Sequence, residues 1–215
     1  DFKVSRYEDE PHADLNLYRS KIGSVMYLAV NTRPDLQYAL GVLCRYMASP
    51  RVSHMKACDW LLRYLMGSTN RSLIYWHESQ SQSKVHDLHP HHLIATGRYR
   101  QKAEKQAERS GAQLVGYCDA SYASDTDTRR SVTGFAWFIG GNLISYSSKI
   151  QRVVALSTAE AEYVALCRCM QEMRGIQMFA AELNGLVDLS KAVIYEDNEA
   201  CIKIASNKRG GQQQN

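Results

Sequence analysis

Three short acidic segments follow one another in the second half of the chain: Tyr117-Cys118-Asp119-Ala120-Ser121, Ser157-Thr158-Ala159-Glu160-Ala161-Glu162-Tyr163 and Tyr195-Glu196-Asp197-Asn198-Glu199. Asp119 and Asp197 each close an apolar run of strand character, where a side chain leaves the core and meets solvent. Glu160 and Glu162 open a long run of helical character. Carboxylates converging from such elements can hold magnesium, and magnesium can drive phosphodiester hydrolysis. The two glutamates are two apart on a helix and point in different directions, so only one can join the aspartates. Glu162 shares a stripe with Ala165, Cys169 and Glu172. Glu160 forms a capping box with Ser157 instead. Each acid also has an ordinary structural role open to it. A strand-end Asp forms turns, Asp197 can cap the helix after it, and Glu160 complements a helix dipole. The joint pattern, in its order, is what points to a site.

The elements that must position these acids can be read from periodicity. Leu114–Cys118 has the pattern of a strand. Gly134–Ile139 and Leu143–Ser148 flank Gly140-Gly141-Asn142, a hairpin turn. Ser157 or Thr158 caps a helix reaching about Leu183, with Asn184-Gly185 as its stop. Ala192–Tyr195 is a further strand, and a helix follows over Glu199–Ala205. The right-handed crossover rule makes Leu114–Cys118 and Ala192–Tyr195 adjacent parallel strands, with the helix from Ala159 packed across them.

The first third is helical. Tyr18, Ile22, Val25, Met26 and Ala29 recur at helical spacing. Pro34 opens a second helix with Leu36, Ala39, Leu40, Leu43 and Met47 on one side, ended by Ser49-Pro50. A third begins near Ser53, with Ala57, Trp60, Leu61, Tyr64 and Leu65 inward, and ends at Gly67. Leu73-Ile74-Tyr75-Trp76 has the composition of a short strand. Residues 77–112 are rich in Gln, Ser, His, Lys and Arg and read as a polar linker or insertion, with a charged helix over Tyr99–Arg109. The His86–His92 cluster within it reads as a solvated polar loop, with metal binding the alternative. The organisation is therefore a helical segment over 1–76, a linker over 77–112, an α/β domain over 113–207 and a disordered tail over 208–215.

Composition sets the limits. The chain has 215 residues, 45% of them apolar, and a net charge of +4. That is enough for a core and permits nucleic-acid binding without arguing for it. Cys44, Cys58, Cys118, Cys167, Cys169 and Cys201 are scattered through apolar segments, as reduced core thiols are. No second pair at zinc spacing accompanies Cys167 and Cys169. No apolar run approaches membrane-spanning length. The chain begins at Asp1, as expected of a segment excised from a longer polypeptide or of a processed protein.

One family unites these segments. Gly116–Ala123, Thr128–Phe135, Ser145–Lys149 and Ala155–Ala165 resemble, in order, the ribonuclease H domain of copia-type retrotransposon Pol polyproteins. Tyr18–Leu28 and Thr32–Leu36 resemble the connection that joins the reverse transcriptase to that domain. The resemblance implies an α/β fold: a ribonuclease H-like mixed sheet with packed helices, preceded by a small mainly helical segment. It implies Asp119, Glu162 and Asp197 as catalytic residues holding magnesium or manganese. It also implies two-metal hydrolysis of RNA in an RNA–DNA hybrid, recognised by backbone shape and 2′-hydroxyls. The implied partners are the hybrid and the rest of the Pol polyprotein, reverse transcriptase included, in the cytoplasm or a virus-like particle and with no membrane. Two departures from the family matter: the chain has no histidine after His92 and no acid after Glu199, and the polar stretch over 77–112 is longer than the family's usual short connection. A C-terminally truncated domain lacking a fourth carboxylate is expected to cleave weakly or not at all. The alternative is a non-enzymatic secreted effector of the oomycete RxLR kind, derived from a copia fragment and binding a host protein. The nearest approach to Arg-x-Leu-Arg is Arg71-Ser72-Leu73-Ile74.

Overall fold

A computed structural model of the chain describes residues 4–75, 114–183 and 187–206. The readings made above for the linker, the His86–His92 cluster, the Asn184-Gly185 stop and the tail lie outside the described residues.

The helical segment begins with α1 (Leu15–Asn31). Asp14 caps it, its carboxylate accepting from Leu17 N–H at 3.0 Å, which satisfies one orphan donor of the first turn. A 3₁₀ turn (Pro34–Leu36) leads into α2 (Gln37–Cys44), and α3 spans Val52–Met66. Tyr18, Ile22, Val25 and Ala29 of α1 meet Leu36, Leu40, Leu43, Cys58 and Leu61 in one apolar core. The Arg33 guanidinium grips both Asp35 oxygens and reaches the Ser68 carbonyl at 3.0 Å. That bidentate clamp fixes the α1–α2 corner to the end of α3.

Three sequence expectations fail here. The buried stripe of α3 runs through His54, Cys58 and Leu61, which rotates Trp60 (66% exposed) and Tyr64 (41%) to the surface. Arg63 lies over the Trp60 ring, and Tyr64 donates to Asp35. Met26 is likewise exposed, one position past the buried stripe of α1. Leu73–Tyr75 forms no strand, because β-forming residues need a ladder and none among the described residues pairs with them.

The α/β part holds β1 (Leu114–Ser121), β2 (Val132–Ile139), β3 (Asn142–Ile150), α4 (Thr158–Glu182), β4 (Ala192–Tyr195) and α5 (Glu199–Ser206). The four strands form one mixed sheet in the order β3-β2-β1-β4. β2 runs antiparallel to β1 and β3, and β4 runs parallel to β1, as the element order predicts. Gly140 and Gly141 turn β2 into β3 with φ of 54° and 79°, a two-residue turn that L side chains rarely tolerate. This is a ribonuclease H-like α/β fold, with the helices of the first segment preceding the sheet.

Helix α4 packs across β1 and β2. Leu114, Cys118, Trp137, Leu166 and Cys169 form the core between them. Gly116 lies under the Trp137 indole: a Cβ there would meet the ring at 2.6 Å. The helical segment sits against the sheet through polar ties. Arg45 pairs with the buried Asp125 at 2.7 Å, and the Tyr46 hydroxyl donates to Asp127 at 2.9 Å. Ser148 N–H donates to the Gln37 side chain at 2.9 Å, and the Tyr146 hydroxyl to the Ala29 carbonyl at 3.1 Å. All six cysteines are free thiols. No helix among the described residues is long and apolar enough to cross a membrane.

Candidate metal centre

Burial along β1 alternates. Leu114, Gly116, Cys118 and Ala120 face α4, and Asp119 and Ser121 face away into solvent. Asp119 does not end the strand as expected: β1 continues two residues further, because Asp119, Ala120 and Ser121 still pair with Gly134, Thr133 and Val132. The second aspartate arrives by register. Tyr117 pairs with Tyr195 in the parallel β1–β4 ladder, so two residues on, Asp119 and Asp197 come level. Asp197 is not a helix cap. Asn198 takes that role, its side-chain oxygen accepting from Cys201 N–H at 2.9 Å, which leaves the Asp197 carboxylate free of it.

The start of α4 separates the two glutamates as their spacing requires. The Ser157 hydroxyl accepts from Glu160 N–H at 3.1 Å. Glu160 folds back, but accepts from Leu156 N–H at 2.7 Å rather than from Ser157, so the capping box is offset by one residue. Two positions on, Glu162 is 7% exposed, and its Oε2 is buried without a hydrogen-bond partner.

Asp119, Glu162 and Asp197 each offer an oxygen, and these three atoms lie within 4.8 Å of one another. Their electrostatics fit one another. Burial, then the charges of Glu196, Asp119 and Asp197, push the Glu162 carboxyl up to about 8, with the Ala120 N–H opposing the rise. Burial and then the Asp197 charge raise Asp119. A carboxylate buried at such cost, with one oxygen orphaned and two further carboxylates within reach, has the chemistry of a hard divalent cation's donor set: oxygen ligands and concentrated negative charge.

Glu196 was missed in the sequence. Its Oε1 accepts from Asn198 N–H at 3.1 Å, and its Oε2 lies 3.1 Å from the Cys118 thiol, which donates to it. Burial raises its carboxyl, as it does Glu162's. The available signal was its place between Tyr195 and Asp197, one residue from the level of Asp119.

A cavity of about 240 Å³ opens beside Asp119. Ser121, Phe138, Tyr146 and Ser148 of the sheet form one wall, and Asp35 and Tyr38 of the helical segment the other.

With that geometry established, similarity to known proteins decides the family. The chain is 34% identical over 190 residues to the retrovirus-related Pol polyprotein from transposon TNT 1-94 of Nicotiana tabacum, covering 88% of this chain and 12% of that protein. It is 33% identical over 205 residues to the retrovirus-related Pol polyprotein from transposon RE2 of Arabidopsis thaliana, covering 95% of this chain and 12% of that one. It is also 36% identical over 156 residues to secreted RxLR effector protein 161 of Plasmopara viticola, covering 72% of this chain and 87% of the effector. The chain belongs to the retrovirus-related Pol polyproteins of copia-type transposons. It is retroelement-derived and spans 12% of the length of these Pol polyproteins. No family model and no solved structure matches it.

Proposed function

We propose that this chain is the ribonuclease H-like unit of a copia-type Pol polyprotein, acting with divalent magnesium or manganese on the RNA strand of an RNA–DNA hybrid. The observation that carries the reading is the convergence of Asp119, Glu162 and Asp197 with an orphaned buried oxygen on Glu162. These three residues would hold the metal. When bound, it supplies positive charge that polarises the scissile phosphodiester and the attacking water. Asp119 on β1 and Asp197 two residues past β4, both exposed, meet the substrate side. Glu162 reaches the same point from α4, where the packed helix fixes its rotamer. Its carboxyl gives up a proton as the cation binds, since a carboxylate must be ionised to serve as ligand. The cavity beside Asp119 brings sheet and helical-segment groups alongside the substrate strand. As part of a polyprotein, the unit would work beside reverse transcriptase, in the cytoplasm or a virus-like particle.

The test is magnesium-dependent cleavage of end-labelled RNA in a hybrid, with double-stranded RNA and DNA as controls. Cleavage confined to the hybrid and lost in Asp119→Asn supports the reading. Cleavage unaffected by Asp119→Asn removes the site assignment.

A second reading rests on the RxLR-named relative, of which the matched region covers 87%. On it, the fold serves as a secreted module that binds a host protein, and Asp119 is dispensable. Absence of hybrid cleavage, together with partner binding that survives Asp119→Asn, selects it.

A further inference from the structure

Gln151 stands directly after β3 and is 4% exposed. An amide so deeply buried loses its water and needs a compensating role. Its backbone N–H donates to the Ser131 carbonyl at 2.8 Å, pinning the residue beside β2. Its side-chain Nε2 donates to the Thr133 hydroxyl at 3.1 Å and to the Ala161 carbonyl at 2.9 Å. The second contact fixes which end of the amide is which, because a carbonyl can only accept. Both side-chain N–H groups are thereby used, while Oε1 is buried without a partner. The amide therefore gains two directed bonds and leaves one acceptor unpaired, a balance that favours geometry over stability.

One acceptor, Ala161, lies on α4, which carries Glu162, and the other, Thr133, lies on β2, the ladder partner of the strand that carries Asp119. Thr133 pairs across the ladder with Ala120, the neighbour of Asp119. Ala161 is the neighbour of Glu162 and is wholly buried against Ala120, Ala155 and Ala165. The side chains of Ala120, Ala161 and Ala165 that meet between β1 and the start of α4 are small and apolar and can slide, whereas the Gln151 amide, bonded to α4 and to the strand beside β1, fixes a distance, as does the Ala120 N–H bonded to the Glu162 carboxylate.

We infer that Gln151 is a positioning residue for Glu162: its amide sets the first turns of α4 against β1 and so fixes the spacing of the Glu162 and Asp119 carboxylates. This rests on the reading of the three acids as a divalent-metal site. Removing the bridge lets α4 settle by a fraction of an ångström, and metal affinity falls while the core remains.

The test titrates Mn²⁺ against the full chain by electron paramagnetic resonance, with thermal unfolding measured alongside, for wild type, Gln151→Met, Thr133→Val and Glu162→Gln. Gln151→Met keeps length and loses both donors. It is expected to weaken Mn²⁺ binding by about 10-fold, the lower end for outer groups that orient a ligand. Near-isosteric Thr133→Val removes one of the two acceptors and is expected to weaken binding in the same direction by less. It carries the test if Gln151→Met does not fold. Wild-type affinity in folded Gln151→Met, or in Thr133→Val where only that variant folds, overturns the positioning role and leaves the metal site standing. Wild type that binds Mn²⁺ no better than Glu162→Gln overturns the metal site, and the positioning role with it.

Discussion

Replacing Glu162 by Gln should make the metal-free protein more stable while removing one of the three carboxylates of the proposed metal site. The carboxyl sits at about 8 in the folded chain against an ordinary 4.5. An acid raised on folding binds more protons folded than unfolded between those two values, so its contribution to stability falls as pH rises from about 4.5 to about 8 and is level above. At about 1.36 kcal/mol per unit, the displacement sets a ceiling near 5 kcal/mol. Asp119 and Asp197 are exposed, and water screens their share of the repulsion, so about 2–4 kcal/mol is the working figure. Gln keeps the shape and carries no charge. It should raise the unfolding temperature at pH 9 by about 5–15 °C for a chain of this size, and by little at pH 5, where Glu162 is already neutral. Thermal melts of both proteins at pH 5, 7 and 9 in chelator measure this. Addition of Mg²⁺ should raise the melting temperature of the wild type alone. A Glu162→Gln protein that is destabilised at pH 9, or stabilised equally at every pH, would refute the reasoning.

Other substitutions probe the frame around the site. Gly116→Ala drives a methyl into the buried Trp137 ring and should cost about 1–3 kcal/mol in urea unfolding. Arg45→Met leaves the 3%-exposed Asp125 without its cation and should cost about 2–4 kcal/mol at neutral pH. Burial pushes the Asp125 carboxyl up, but the Thr128 hydroxyl and Arg45 outweigh it and hold it below the usual range. The stability from this depressed acid is present above its unfolded pKa and lost as pH falls through the folded value, so acid should shrink the Arg45→Met deficit. Trp60→Ala, at a 66% exposed position, should change stability by no more than about 0.5 kcal/mol, which an inward Trp60 would contradict.

Much of this was legible because local rules and the fold agree. The order of elements, the β2–β3 turn at Gly140-Gly141, the parallel β1–β4 pair and the choice of Glu162 over Glu160 all follow from spacing of a few residues. What escaped depends on contacts distant in sequence. The extension of β1 past Asp119 is enforced by Gly134 and its neighbours on β2, not by anything in β1 itself. The exposure of Trp60 and Tyr64 follows from where α1 and α2 meet α3, which turns the helix off the axis its own apolar residues suggest. Glu196 was obscured because alternation ceases to assign faces once the strand has ended. The Arg45–Asp125 tie joins residues 80 apart and has no local signature.

The most direct measurement is anomalous diffraction from a crystal of this chain soaked in Mn²⁺. The expected result is a peak bridging Asp119, Glu162 and Asp197, with an oxygen of each at about 2.1 Å, the distance a hard octahedral divalent ion demands. A well-ordered crystal with those carboxylates in place and no peak between them, or with manganese held only elsewhere, would contradict the metal centre and the nuclease reading built on it.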